Sequence, residues 1–388
     1  MPIIPLLLVA LGGFGGWLIG RNNPRHKFFA KEKDQFSKDY FVGLNYLLNE
    51  QPDEAVDVFI KMLDVDNNTV ETHMALGSLF RKRGETNRAI RIHQNIIARP
   101  NLGKDLRLQA LQELGRDYMV AGVYDRAERL FLESVETNGP HRVQSLHYLV
   151  DIYEREKDWY AALEMAQQLQ RIAKLDAQPA IAQYYCEIIE DPRNQLTFNK
   201  VSEHLRDAYN ADRHCLRAGL LKAKQESEGG DDSEAIHLYQ KMLHQDPDFA
   251  PIILPLLEKA YVKQSNEKGF IDYLYKSLDK ITRPAVMVKL AEKLETVNGP
   301  QAAIQFLQQQ LHESPSLQAI ESLITLQAEL QTHDATQEQA TMLKQYLHKV
   351  NAAKPKYLCD HCGYQGRKMH WLCPSCRRWG EVKPSVGD

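Results

Sequence analysis

Six cysteines occur in the chain, and four of them, Cys359, Cys362, Cys373 and Cys376, fall in one short window near its end. Their spacing is C-x2-C-x10-C-x2-C. Two residues between paired cysteines let each pair wrap a turn whose backbone N–H groups point at sulfur, and two such turns close a tetrahedral four-thiolate site. Gly363 suits the positive-φ position of the first turn. His361 and His370 are further ligand types in the window, but four thiolates already fill a closed shell and leave no open position for catalysis. Disulfides are the alternative chemistry. They fit a local cluster in an otherwise thiol-poor chain less well than a metal does. Cys186 and Cys215 stand apart and read as small buried apolar residues.

Around the window Lys354, Lys356, Arg367, Lys368, Arg377, Arg378 and Lys383 outnumber Asp360 and Glu381. Four thiolates and a divalent ion leave about −2 to be balanced, and the remaining cations are free to face acidic headgroups or the rest of the chain. Nucleic-acid binding by a small basic ribbon is the sharper reading, but only the tail is basic, so it is not favoured.

The cysteine segment needs something to stand on. A tail of about 30 residues cannot build an adequate core, so its metal is mainly structural. Residues 351–356 read as a linker, and before them, over 36–350, the chain repeats with a period of about 34 residues. In 108–141 the pattern is Leu111, Leu114, Gly115, Tyr118, Ala127 and Phe131. The same frame gives Gly43, Tyr46, Ala55 and Phe59, then Leu76, Gly77, Phe80 and Ala89, then Leu146, Leu149, Tyr153, Ala162 and Ala166. Later units keep less of it: Ala235, Tyr239 and Pro247 in 216–249; Leu257 and Tyr261 in 251–284; Leu290, Ala291, Ala303, Leu307 and Pro315 in 284–317. Residues 178–212 are helical in pattern but break the frame near Asp191-Pro192, and 318–350 reads as a capping pair, for about nine units of which two are irregular.

These units resemble tetratricopeptide repeats, which implies an all-α superhelical solenoid with no strand before residue 356. Small residues let paired helices cross closely while large ones fill the layer between units. Such arrays commonly bind peptides on a concave face, and by helical offset its candidates are Tyr40, Leu44, Met74, Arg81, Gln112, Arg116, His147 and Asp151.

Residues 2–20 carry no charged side chain and as a helix would span roughly 28 Å, enough to cross a bilayer core. Arg21, Arg25, Lys27, Lys31 and Lys33 all follow the apolar run. That order fits a retained anchor (1–20) with a basic cytoplasmic linker (21–35) rather than a cleaved signal peptide, and places the bulk of the chain in the cytosol. Gly12, Gly16 and Gly20 repeat along one helix face, a pattern that admits a close helix partner or reflects only the frequency of glycine in membrane helices.

With 388 residues, 48 basic against 51 acidic side chains and 43% apolar composition, the chain is long enough for two or three globular units and is neither broadly basic nor disordered. It contains no G-x-x-x-x-G-K-[ST], no H-E-x-x-H and no G-x-S-x-G, so it reads as no enzyme.

The knuckles Cys359-x-x-Cys362-Gly-Tyr and Cys373-Pro-x-Cys376 resemble rubredoxin, which implies one iron, or zinc, over 357–384; the ten-residue spacer and Arg377 in place of a glycine depart from that pattern. In order, anchor, repeat array and rubredoxin-like knuckle resemble the lipopolysaccharide assembly protein B family of Gram-negative bacteria. That resemblance implies a non-enzymatic inner-membrane regulator of lipopolysaccharide synthesis, with its bulk in the cytoplasm. It would assist a membrane-bound AAA zinc protease in degrading the lipid A pathway deacetylase, alongside other lipopolysaccharide assembly proteins and with homo-oligomers open. The competing readings are a generic anchored scaffold for envelope assembly and a membrane-tethered RNA-binding ribbon.

Overall fold

The computed structural model describes residues 41–43, 45–46, 49, 51, 54–55, 57–58, 70–137, 140–173, 178–278, 280–281, 283–330 and 334–385. The anchor expected at 1–20 with Gly12, Gly16 and Gly20, the basic stretch 21–35, and the groove candidates Tyr40 and Leu44 lie outside the described residues. Among the described residues no helix is long and apolar enough to cross a membrane. The chain divides into two compact units, Met1–Lys157 and Asp158–Asp388, and the division falls inside the repeat expected at 143–176.

In the first unit α1 (Val70–Lys82), α2 (Thr86–Ile97), α3 (Lys104–Val120), α4 (Tyr124–Val135) and α5 (Pro140–Glu156) follow one another, each packed on the next. Hairpin turns are made by one left-handed residue. Gly84 (φ 83°) and Gly122 (φ 74°) take that conformation without a Cβ penalty, and the following N–H reaches back five residues, Glu85 to the Phe80 carbonyl and Val123 to the Tyr118 carbonyl, both at 2.9 Å. Lys157 and Ser265 adopt the same φ, at 57° and 54°, where a side chain costs roughly 1–2 kcal/mol.

The repeat frame is visible in the packing. Leu111, Leu114, Tyr118, Ala127 and Phe131 are buried, and a Cβ added to Gly115 would lie 2.6 Å from the Phe131 ring. Gly77 stands in the same relation to the His93 imidazole, at 2.5 Å.

The groove candidates behave differently. Met74, Arg81 and Gln112 do not line an open face; each is buried between helices. Arg81 donates to Asp117 at 2.7 Å and to Glu113 at 2.6 Å, while Asp117 also meets His93 Nδ1 at 2.5 Å. Gln112 donates to the His141 carbonyl at 2.8 Å and to Ser145 Oγ at 3.0 Å. For these three, helical offset points to a helix face that their neighbours bury. Arg116 and Asp151 are half-buried, paired with Glu113 and Arg155, and His147 is exposed.

The second unit contains α6 (Trp159–Ala173), α7 (Gln178–Glu190), α8 (Phe198–Ala211), α9 (Leu216–Glu228), α10 (Asp232–Gln245), a 3-10 turn (Pro247–Phe249), α11 (Ala250–Lys263), α12 (Glu267–Leu278), α13 (Pro284–Asn298), α14 (Pro300–Glu313), α15 (Leu317–Leu330) and α16 (Asp334–Ala353). Its core runs from Ala223 through Tyr239, Leu257, Leu290 and Leu307 to Leu326. A capping pair should turn a polar face outward. Helix α16 exposes Gln345, His348 and Lys349, and also Met342, Tyr346 and Val350, one turn apart. It also continues through Ala353, so the linker expected at 351–356 shortens to Lys354–Lys356. Among the described residues no strand precedes Tyr357. There begins a three-stranded antiparallel sheet, β1 (Tyr357–Cys359), β2 (Gln365–Gly366) and β3 (Val382–Pro384), in the order β2-β1-β3 with Cys359 opposite Val382.

Candidate metal centre

The two cysteine pairs are built by one hydrogen-bonded loop used twice. In the first, the Cys359 N–H donates to the Tyr364 carbonyl and the Gly363 N–H to the Cys359 carbonyl, both at 2.9 Å. In the second, the Cys373 N–H donates to the Arg378 carbonyl at 3.0 Å and the Arg377 N–H to the Cys373 carbonyl at 2.9 Å. Gly363 (φ 72°) and Arg377 (φ 55°) occupy the equivalent left-handed position, so the second loop holds an arginine in a conformation that glycine adopts freely. β1 feeds the first loop, and β3 returns beside β1.

Folding brings all four sulfurs within 4.8 Å of one another. Cys359 and Cys376 are 3.8 Å apart and Cys362 and Cys373 3.7 Å apart. A tetrahedron with metal–sulfur bonds of about 2.3 Å has edges of about 3.8 Å, so the donor set fits a tetrahedral thiophilic cation, iron or zinc. Desolvation pushes the Cys376 thiol up to about 12, whereas the Tyr364 backbone N–H draws Cys362 down to about 6. Four thiols this close ionise together only beside a cation. Each loop contributes one buried sulfur, Cys359 or Cys373, and one more open to solvent, Cys362 or Cys376.

The module itself buries little besides Cys359, Cys373 and Val382. Its larger apolar side chains are placed on the repeat array of the same unit. Trp379 meets Tyr184 edge-on (5.8 Å, 87°) and Trp159 likewise (6.1 Å, 71°). Trp371 stacks on Phe249 at 5.9 Å and an interplanar angle of 4°, under the guanidinium of Arg217 at 5.7 Å. Arg217 is buried and held by Glu187 at 2.8 Å and Glu190 at 2.5 Å. Burial works against its charge, but the two carboxylates outweigh burial and keep its pKa above the ordinary value. From β3, Lys383 reaches Asp246 at 3.1 Å and Asp360 at 3.5 Å. One member of the basic excess in the tail is thus neutralised by the array.

These docking residues escaped the sequence reading. A signal was present: two of the chain's four tryptophans lie within the short cysteine module, which is too small to bury them.

Residues 357–384 match the family model described as Rubredoxin metal binding domain, and residues 72–105 match the Tetratricopeptide repeat model. Across 381 residues the sequence is 31% identical to Lipopolysaccharide assembly protein B of Escherichia coli (strain K12), covering 98% of this chain and 97% of the relative. The chain belongs to the lipopolysaccharide assembly protein B family. Its similarity to the Haemophilus influenzae Lipopolysaccharide assembly protein B is 33% identity over 394 residues, covering 97% of each. Among solved structures, a tetratricopeptide repeat protein from Parabacteroides merdae covers 73% of this chain at 13% identity, with a TM-score of 0.34. In this member of the lipopolysaccharide assembly protein B family, the cysteine module therefore lies against its own repeat array.

Proposed function

We propose that this chain is a non-catalytic, inner-membrane scaffold of lipopolysaccharide assembly that presents the lipid A pathway deacetylase to a membrane-bound AAA zinc protease. The observation that carries the reading is the match to Lipopolysaccharide assembly protein B relatives over nearly the whole chain. Helical repeats supply surface for protein partners, and a closed four-thiolate site supplies order rather than an open coordination position. The uncharged run at 2–20, followed by basic residues, supports a single-pass anchor with the bulk in the cytoplasm. Anchoring favours such a role, because tethering raises the effective concentration of the second encounter to the order of millimolar.

The deacetylase half-life in cells tests this. Full-length protein should shorten it, and a form lacking residues 1–20 should fold yet fail to do so at equal abundance. A half-life unaffected by depletion of the full-length chain would leave only the generic envelope scaffold.

A further inference from the structure

A second thiol pair lies outside the metal module. Cys186 on α7 and Cys215, the residue that caps α9, belong to one small apolar cluster with Ala182, Ala208 and Ala218. The two thiols lie near enough to perturb each other's titration. Gln183 shares the Cys186 face of α7 and donates to Cys215 Sγ at 3.6 Å. A disulfide would bring the two sulfurs to about 2 Å from each other.

The two thiols are unequal. Cys186 lowers the Cys215 pKa, with help from the Ala218 backbone N–H at the start of α9 and against burial. Cys215, together with burial, drives Cys186 well above its ordinary value. Their access differs too. Cys186 is fully buried, whereas Cys215 lines a cavity of about 340 Å³ whose other walls include Gln183, His214, Trp371 and Trp379. Buried structural thiols are ordinarily inert; a thiol at a helix N-terminus that faces a cavity and has a second thiol in the same cluster is placed for oxidation and resolution.

We propose that Cys186 and Cys215 form a peroxide-sensitive thiol pair, in which Cys215 is oxidised first and Cys186 resolves it as an intramolecular disulfide. The Cys215 thiolate attacks one oxygen of a hydroperoxide. The O–O bond breaks, the leaving oxygen takes a proton to become water or an alcohol, and the sulfur becomes a sulfenic acid. Cys186 sulfur then attacks Cys215 sulfur; the S–O bond breaks and hydroxide leaves as water with the Cys186 proton. For hydrogen peroxide, two thiols and one peroxide give one disulfide and two waters, the peroxide being reduced. The new bond ties α7 to the start of α9, next to Arg217, which holds Trp371 of the module.

The test exposes full-length, zinc-loaded protein to micromolar hydrogen peroxide. Disulfides are mapped by non-reducing peptide mass spectrometry while a chromogenic chelator reports zinc release. The expected result is a Cys186–Cys215 link formed before zinc is lost. With dimedone as the sulfenic-acid trap, Cys215 in Cys186→Ser should label at least about tenfold faster than Cys186 in Cys215→Ser. Zinc release and oxidation of the four module cysteines while Cys186 and Cys215 stay reduced would overturn the proposal, as would equal labelling of the two. The map of the unsubstituted protein decides the matter even if a variant fails to fold.

Discussion

The α3–α4 hairpin and the cysteine module are both short pieces of chain, and they become ordered by opposite routes. In the hairpin the constraint is internal: a missing side chain at Gly115 admits the Phe131 ring, and both helices bury their apolar faces on each other and on their neighbours. The module has three short strands and almost no core of its own. Four sulfurs gather at tetrahedral spacing, and two tryptophans rest on Tyr184, Trp159 and Phe249 of the array. A segment of this size can be as well defined as a helix pair when its constraint is a coordination bond and its apolar contact is borrowed.

The comparison is broken most severely at the sulfurs. Structural sites of this kind contribute about 10–16 kcal/mol of metal binding, so Cys359→Ser combined with Cys376→Ser should lose the ion. Elemental analysis should show no bound metal and hydrogen exchange should rise through 357–384, with the helical circular dichroism unchanged. Full metal content in that variant would refute the assignment. In the first unit the most costly change is Arg81→Met, which takes the buried guanidinium from between Glu113 and Asp117; a loss of about 3–5 kcal/mol in urea denaturation is expected. Gly115→Leu should cost about 1–3 kcal/mol by forcing Phe131 aside, and an unchanged melting curve would disprove the repeat frame.

Smaller effects sharpen the contrast. Trp371→Ala removes the stack on Phe249, worth about 0.5–1.5 kcal/mol beyond area burial; exchange in the module should quicken while metal content holds. The smallest concerns acid. Burial raises the Glu113 carboxyl, but Arg81 and Ser78 outweigh it and hold its pKa below the ordinary 4.5. A folded-state value below the unfolded one gives stability that is present above pH 4.5 and lost as pH falls through the folded value. That acid limb should flatten in Arg81→Met, which is checked by comparing denaturation midpoints from pH 5 downward.

What the sequence disclosed follows from how local each signal is. The four thiolates sit in one short window, so their spacing alone announced a closed site. Gly115, Ala127 and Phe131 recur at fixed offsets within one hairpin, and their packing was legible for the same reason. Met74, Arg81 and Gln112 are buried where a groove was expected because helical offset gives a direction, not what lies there: Arg81 points at α3, where Glu113 and Asp117 stand 32 and 36 residues away. Docking of the module was least legible. Trp379 meets residues near 159 and 184, and no periodic pattern links positions that far apart in the chain.

Alternation of burial within each cysteine loop gives the metal cage a front and a back. Cys359 and Cys373 are sealed at the rear, and Cys362 and Cys376 form the front edge, one from each loop. A chelator or a donor protein approaching a metal held there would therefore meet two sulfurs from different knuckles before it met the buried pair.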